Sequence, residues 1–183
     1  DIYALYGDDG GRFAARNRLN RQGDAMLSGE YGGALDYGPP YHVHTFYSYV
    51  PPAQYLKTHP EWFSLIKGER TADRAQLCLT NPELRAFVIE RLKNYIESSR
   101  KQAAADGRPA PTVFDISQND WGGPCQCDKC QAIARAEKSE AGPLIDFLNA
   151  ISDAIRPQYP EVFLDTLAYQ YTQKAPKSIR PRD

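Results

Sequence analysis

The sequence has no long apolar run. None approaches the roughly 20 consecutive apolar residues that a membrane-spanning helix requires. Charge of one sign is not in excess either, because the formal net charge is −1 at pH 7. A protein that binds nucleic acid through its phosphates needs a basic surface, so this balance argues against a nucleic-acid partner. We therefore expect no membrane span and no nucleic-acid binding.

Several chemically useful residue types are scarce. The chain has one methionine, three histidines and four cysteines, but twelve tyrosines. Its hydrophobic fraction of 42% and charged fraction of 25% are typical of a folded globular domain. Exposed Tyr and Trp rings offer flat, partly apolar surfaces that suit sugar rings, although the same side chains also fill protein cores.

The two ends of the chain carry little pattern. The first residue is Asp1, no basic-then-apolar signal segment follows it, and the last residues, KAPKSIRPRD, are polar. A length of 183 residues favours one domain. We expect residues 1–183 to be a single domain or a fragment of a longer protein.

The clearest helix is predicted from Pro82 to about Ala104. Thr80 or Asn81 supplies the N-cap, and Pro82 suits the first helical position. Its apolar residues recur at three- and four-residue spacing and form one stripe, which contains Leu84, Phe87, Val88, Leu92 and Tyr95.

Shorter elements are predicted on both sides of this helix. The earlier ones are a basic helix within 10–24, a strand over 41–50, and a hairpin around 67–73. The later ones are a strand over 111–120, helices over 130–136 and from 143, and a strand over 162–172. Because strands and helices alternate in the later half, we expect parallel βαβ units.

Three of the predicted strands end in polar and aromatic side chains. In (β/α) barrels, such strand ends carry the active site. Amides, a carboxylate and flat rings suit a polyhydroxylated ligand; the alternative is that polar residues follow strands because loops lie at the surface. The residues are His42, His44, Tyr47 and Tyr49, then Asp115, Ser117, Gln118, Asn119, Asp120 and Trp121, and finally Tyr169, Gln170 and Tyr171.

Individual roles follow from residue type. Asp120 is the candidate general acid, and the alternative is that it forms the turn before Gly122. His42 and His44 are two residues apart, as a pair of metal ligands would be on one strand face. A structural or ligand-binding role is favoured for this pair, because no third ligand lies near them in sequence.

The cysteines form a second pattern. Three of the four lie in the motif C-x-C-x-x-C, at Cys125, Cys127 and Cys130, and Cys78 is the fourth. Four thiolates suit a tetrahedral structural zinc site. The alternative is two disulfides; three sulfurs within six residues are hard to pair with good disulfide geometry, which favours zinc.

The order of several motifs resembles a known family. HTF, HPEWF, QLCLTNPE and SQND followed by C-x-C-x-x-C resemble bacterial domains of unknown function related to barrel glycoside hydrolases, near the β-N-acetylhexosaminidases and α-glucuronidases. This resemblance implies a (β/α)-barrel fold, secreted or periplasmic localisation, and activity on complex polysaccharides. A whole barrel needs about 250 residues, so the chain is expected to supply only central βα units.

The resemblance also suggests catalytic residues. Hexosaminidases carry an Asp-Glu pair at the end of the fourth strand, and Asn119 and Asp120 stand at the matching place. Asp120 would be the general acid and Asn119 would hold the substrate. Because Asn119 replaces a carboxylate of that pair by an amide, substrate-assisted catalysis is disfavoured. Ordinary glycoside hydrolysis would need a second carboxylate besides Asp120.

Together, the polar strand ends and the motif resemblance favour a glycoside hydrolase. The expected carbohydrate contacts are His44, Tyr47, Gln118, Trp121, Tyr169 and Tyr171. Two alternatives remain: a non-catalytic glycan-binding barrel, and a zinc-stabilised interaction module centred on the loop around Cys125.

Overall fold

The computed structural model describes residues 10–17, 21–22, 25–26 and 36–182. The chain divides into two units, Asp1–Asp36 and Tyr37–Asp183. In the first unit, α1 (Gly10–Arg16) precedes the antiparallel strands β1 (Arg21–Gln22) and β2 (Ala25–Met26). Within residues 10–24, where a basic helix was predicted, α1 ends at Arg16, and residues 18–20 and 23–24 lie outside the described residues.

The second unit contains the remaining helices and strands. Two single 3₁₀ turns, Pro60–Trp62 and Gln170–Thr172, accompany them. In chain order the elements are α2 (Phe46–Tyr49), α3 (Pro52–Tyr55), β3 (Leu65–Ile66), β4 (Glu69–Arg70), α4 (Pro82–Ala105), β5 (Val113–Asp115), α5 (Asp128–Glu137), α6 (Ala141–Ile155) and β6 (Phe163–Asp165).

The predicted long helix is confirmed as α4. Asn81 is its N-cap, because its side chain accepts a hydrogen bond from the backbone N–H of Leu84 at 3.0 Å. One face of α4 is buried, and α4 packs against α6. The buried apolar residues of these two helices form much of the core: Leu84, Val88, Leu92 and Ile96 from α4, and Leu144, Phe147, Leu148, Ile151 and Ile155 from α6.

Strands β5 and β6 are parallel, as the alternating pattern predicted. Their register pairs Val113 with Phe163 and Asp115 with Asp165. All of β5 is buried, and Tyr37 adds one parallel bridge to Val113. The last residues of the two strands, Asp115 and Asp165, therefore lie side by side at the carboxyl edge of the pair.

The predicted (β/α)-barrel fold is wrong. In the described residues each of the three sheets has only two strands: β1–β2, β3–β4 and β5–β6. The other two pairs are antiparallel, so β5–β6 is the only parallel pair of strands within the part of the chain that the structure describes. The residues expected to add further barrel strands form loops and short helices instead.

The strand predicted over Tyr41–Val50 is also wrong. Residues 41–45 are a loop in which Tyr41 and His44 have φ angles of 74° and 61°, and α2 follows. Aromatic and β-branched composition suggested a strand, but Phe46 and Tyr49 are both buried and stand at helical spacing. Burial of one helical face therefore outweighs the local strand preference.

Two further predictions have mixed outcomes. The hairpin around Lys67 is confirmed by the antiparallel pairing of β3 and β4. The strand predicted over 162–172 is limited to β6, because Gln170–Thr172 forms a 3₁₀ turn that begins at a φ of 50°. No helix among the described residues has both the length and the apolar composition to span a bilayer.

Candidate functional site

The candidate site lies beyond the carboxyl ends of β5 and β6. Ligands of open α/β sheets commonly bind at this edge, where the loops after parallel strands converge. Here the loop after β5 carries Asp120 and the segment after β6 carries Tyr169. The loop before α2 adds His44, so three segments distant in sequence supply the site.

Asp120 is the centre of this group. Its Oδ1 atom accepts a hydrogen bond from the Tyr169 hydroxyl at 2.9 Å and lies 3.7 Å from Nε2 of His44. The Asp120 side chain is 58% exposed and that of His44 is 27% exposed. The structure thus brings together three of the residues predicted from sequence, and the carboxylate among them is accessible to a ligand.

The tautomer of His44 follows from its other nitrogen. Nδ1 lies 2.7 Å from the backbone carbonyl oxygen of Gln118, which can only accept a hydrogen bond. Nδ1 therefore carries a proton, and in neutral His44 the Nε2 atom that faces Asp120 is an acceptor. The backbone N–H of His44 donates to the Ser117 hydroxyl at 2.9 Å, which fixes the loop to the end of β5.

Gln118 is buried rather than exposed to a ligand. Its amide nitrogen donates to the backbone carbonyl of Tyr169 at 2.9 Å, and its amide oxygen accepts from the Thr172 hydroxyl at 2.5 Å. Gln118 thereby ties the loop after β5 to the segment after β6. Gln118 therefore stabilises the segments that carry Asp120 and Tyr169 instead of contacting a ligand.

Asn119 and Trp121 also bond to protein backbone. The Asn119 amide nitrogen and the Trp121 indole nitrogen donate to the carbonyl oxygen of Ala75, at 3.1 Å and 2.7 Å. Gln76, which sequence reasoning missed, is buried, accepts from the backbone N–H of Asn119 and donates to the Trp121 carbonyl at 2.6 Å. Gln76 is the first residue of the QLCLTNPE motif, which is the signal that could have identified it.

The two remaining predicted tyrosines, Tyr47 and Tyr171, have contacts with groups other than Asp120. The Tyr47 hydroxyl donates to the Ala75 carbonyl at 2.7 Å, and the ring lies 6.0 Å from that of Trp121. Burial raises the pKa of Tyr47 well above its usual range. Tyr171 lines a small cavity with Cys125 and Cys130, so it belongs to the surroundings of the cysteines.

Three large apolar side chains are exposed in the segments that form the site. Tyr41 is 63% exposed, Val43 is 41% exposed and Tyr169 is 37% exposed. Tyr41 and Val43 stand in the loop that carries His44, and Tyr169 contacts Asp120 directly. The site therefore combines an acidic centre with aromatic surface.

A second polar group lies at the ends of the two strands. Nδ1 of His42 is 3.2 Å from Asp115 Oδ2 and 3.5 Å from Asp165 Oδ2. Burial raises the pKa of Asp115, and hydrogen bonds from Ser117, Thr45 and His42 oppose that shift. The sequence showed His42 and both carboxylates, but the contact between them spans 73 residues and depends on the tertiary fold.

The four cysteines form a compact cluster. Their sulfur atoms all lie within 4.8 Å of one another, and the Cys78 and Cys127 sulfurs are 3.7 Å apart. All four are free cysteines, so the alternative of two disulfides is not what the structure contains. The segment ending in Cys78 and the loop after β5 meet, as a shared site requires.

The surroundings of the cluster favour negative charge. The backbone N–H of Leu65 donates to Cys125 Sγ at 3.3 Å, and Arg70 lies 3.7 Å from the same sulfur. Hydrogen bonds from Cys125 and Cys130, and then the Arg70 guanidinium, hold the pKa of Cys78 well below its usual range. The same hydrogen bonds and burial raise the pKa values of Cys125 and Cys130, so without an added cation the negative charge is concentrated on Cys78. Thiolates are the metal-binding form of cysteine, so this environment suits a cation.

Comparison with known proteins assigns a family. The model of the family described as "Domain of unknown function (DUF4838)" matches residues 6–183, and the chain belongs to this family. No curated protein and no solved structure matches the chain. The expected membership of a family of domains of unknown function is thus confirmed, whereas a relation to glycoside hydrolases stays a hypothesis.

Proposed function

We propose that this DUF4838 domain acts on carbohydrate and hydrolyses a glycosidic bond, with Asp120 as general acid. The observation that carries the proposal is the accessible Asp120 carboxylate, held between Tyr169 and His44 beyond the carboxyl ends of two parallel strands. The motif resemblance and the aromatic surroundings point to sugar as the ligand class.

The side chains of Asp120, Tyr169 and His44 are arranged in a way that suits proton transfer. Tyr169 and His44 both face Oδ1 of Asp120, and no described residue donates a hydrogen bond to Oδ2. Oδ2 is then the atom that would protonate the leaving oxygen, while a water molecule attacks the anomeric carbon and gives up its proton to a second carboxylate. Nε2 of His44 lies 3.7 Å from Oδ1 of Asp120, just beyond hydrogen-bonding distance. A small movement of either side chain would therefore allow a proton to pass between them.

The exposed rings supply a ligand surface. Sugar rings stack on Tyr and Trp through their apolar C–H faces while their hydroxyls bond to carboxylates and amides. Tyr169 is exposed and donates to the carboxylate, and Tyr41 is exposed in the loop that carries His44, whereas Gln118 and Asn119 are buried. In this proposal the two amides position the loop, and the tyrosines contact the sugar.

Asp120→Asn tests the enzymatic proposal. The variant keeps the shape of the side chain but removes its acid, so release of reducing ends from a polysaccharide panel should fall by about 100-fold or more. The matched control is Asp106→Asn, at the C-cap of α4 and thus near the opposite, amino end of β5. Equal turnover by the wild type and Asp120→Asn, with folding intact, would disprove the assignment.

A second candidate is glycan binding without cleavage. The observation that favours it is the burial of Asn119, whose amide bonds to backbone and leaves Asp120 without its expected catalytic neighbour. Calorimetry distinguishes the candidates: heat of binding to a glycan that is recovered uncleaved supports binding alone. In that case Tyr169→Phe and Tyr41→Ala should weaken binding, and Asp120→Asn should have a smaller effect.

We also propose that the four cysteines bind a structural Zn²⁺ ion. Zn–S bonds of about 2.3 Å place the sulfurs of a tetrahedral site about 3.8 Å apart, close to the 3.7 Å between Cys78 and Cys127. Four thiolates complete the coordination shell, which is typical of a structural site. The zinc-stabilised interaction module expected as an alternative would use the same ion.

The proposed secreted or periplasmic localisation is consistent with the proposed zinc ion. The motif resemblance implies secreted or periplasmic localisation, where neighbouring free thiols oxidise to disulfides. Four adjacent free cysteines persist in such a compartment when a metal ion holds them. Fractionation of the native host would test the location, and finding the protein only in the cytosol would contradict it.

A further inference from the structure

The group of His42, Asp115 and Asp165 has no part in the chemistry proposed for Asp120. Each residue offers one ligand atom, and the three atoms lie within 4.8 Å of one another. The Nδ1 atom of His42 is central, at 3.2 Å and 3.5 Å from the two carboxylate oxygens.

The fold holds these ligand atoms in place from several directions. Asp115 and Asp165 are register partners in parallel strands, so their side chains emerge on the same side of the pair. Oδ1 of Asp115 accepts hydrogen bonds from the hydroxyls of Thr45 at 2.9 Å and Ser117 at 2.5 Å. These bonds leave Oδ2 of Asp115 directed at His42.

Outer contacts also orient the other two side chains. The Tyr37 hydroxyl donates to Oδ2 of Asp165 at 3.1 Å, and the Tyr37 ring stacks on His42 with centroids 4.9 Å apart. Metal-binding carboxylates and imidazoles are commonly held by such second contacts, which set the direction of the ligand atoms. The arrangement around His42 has this form.

The negative charge of the two carboxylates in this group favours the binding of a cation. The Asp115 side chain is 0% exposed, and within residues 36–182 neither carboxylate forms an ion pair with lysine or arginine. Burying an ionised carboxylate is costly unless it is paired or coordinates a metal. One imidazole cannot fully neutralise two carboxylates, whereas a divalent ion can.

We propose that His42, Asp115 and Asp165 bind a divalent transition-metal ion such as Zn²⁺ or Mn²⁺. In a tetrahedral site with bonds of about 2.1 Å, neighbouring ligand atoms are about 3.4 Å apart, and the two observed separations are 3.2 Å and 3.5 Å. A ligand set of one imidazole and two carboxylates suits these ions better than Ca²⁺ or Mg²⁺, which favour oxygen alone.

The site has room for a ligand of its own. Three protein ligands leave at least one coordination position open, as in catalytic rather than structural metal sites. The side chains of His42 and Asp165 are 40% and 34% exposed, so the ion would be reached from solvent. A water molecule, or a hydroxyl or carboxylate oxygen of a bound molecule, takes the open position. This binding is independent of whether Asp120 cleaves glycans.

Titration with Mn²⁺ tests the site without interference from the cysteines, because Mn²⁺ binds poorly to thiolates. The electron paramagnetic resonance signal of free Mn²⁺ should fall as one ion binds per chain. His42→Ala and Asp165→Asn should each raise Kd by more than about 100-fold, since removing a ligand exceeds the 10- to 100-fold effect of removing an outer contact. Added Zn²⁺ should then release the bound Mn²⁺.

The matched control is Glu61→Gln. Glu61 lies 3.4 Å from His59 Nδ1, in a group that also has one histidine and two carboxylates but lacks a buried carboxylate. Its loss should leave Mn²⁺ binding unchanged. Asp115 is buried, so Asp115→Asn is informative only if the variant folds. The test therefore relies on variants of His42 and Asp165, which are partly exposed. Mn²⁺ that stays free at millimolar protein, or binds wild type and His42→Ala equally, overturns the proposal.

Discussion

The Nε2 atom of His44 faces Oδ1 of Asp120 across 3.7 Å, while Nδ1 of the same ring donates to the Gln118 carbonyl. The carbonyl fixes both the tautomer and the ring direction, so His44 presents an acceptor to the carboxylate. Gln118 is itself held by Tyr169 and Thr172. The position of the proposed acid therefore depends on two loops that are joined by buried hydrogen bonds.

Tyr169→Phe should reduce glycan cleavage by about 10- to 100-fold with little change in stability. The hydroxyl donates to the Asp120 carboxylate at the surface, where water can replace the lost bond, so stability should change by less than about 1 kcal/mol. The rate falls because Asp120 loses the contact that orients it toward the leaving oxygen. Initial rates and thermal melting measure the two effects. Tyr171→Phe, beside the cysteines, is the control and should keep full activity. Equal losses in both variants would mean that Tyr169 has no special link to Asp120.

Removal of zinc should destabilise the domain. We expect a chelator to lower the melting temperature by about 10 °C or more, because a structural zinc contributes several kcal/mol and each corresponds to about 2–4 °C in a chain of this size. Cys130→Ser should lower it similarly and abolish the chelator effect. Elemental analysis should give zinc bound to the cysteines; a metal-free protein that melts unchanged with chelator would contradict this.

Gly123→Ala should destabilise the loop between the proposed acid and the cysteines, at a cost of about 1–3 kcal/mol or more. Gly123 has a φ of 77°, and an added Cβ would lie 2.6 Å from the backbone oxygen of Arg74. Gly122→Ala is a close control, since its Cβ would meet nothing within 4 Å. Denaturant unfolding compares them, and equal stability of the two variants would be the contrary result.

Glu137 should make stability depend on acidic pH. Hydrogen bonds from the Ser178 hydroxyl, the Ser178 N–H and the Ile179 N–H lower the pKa of Glu137 to about 2. Because the folded pKa lies below the unfolded value of about 4.3, the stabilisation is complete above that value and is lost as pH falls toward 2.

The Glu137→Gln variant measures this effect. Its deficit in free energy of unfolding relative to wild type should be largest near pH 7 and should shrink below about pH 4. Glu69→Gln, in an exposed position of β4, is the matched control for the removal of one glutamate charge. A deficit for Glu137→Gln that is constant from pH 7 to pH 3 would show that the carboxylate charge does not act through these bonds.

The elements that were predicted correctly depend on local pattern. Pro82, the Asn81 cap and a regular apolar stripe specify α4 without reference to the rest of the chain. The parallel relation of β5 and β6 followed from alternating helices and strands. Residues 41–50 were mistaken for a strand, because aromatic residues favour strands until burial at helical spacing selects a helix.

The sequence by itself determined which chemical groups are present and which segments carry them: the C-x-C-x-x-C motif, the acidic end of SQND, and the apolar faces of α4 and α6. Only the tertiary structure decided their partners. It brings Cys78 next to the three later cysteines and lets the Asn119 amide donate to the backbone carbonyl of Ala75. It also places His42 beside both Asp115 and Asp165. These contacts link residues far apart in the chain, so they follow from packing of the whole unit rather than from local spacing.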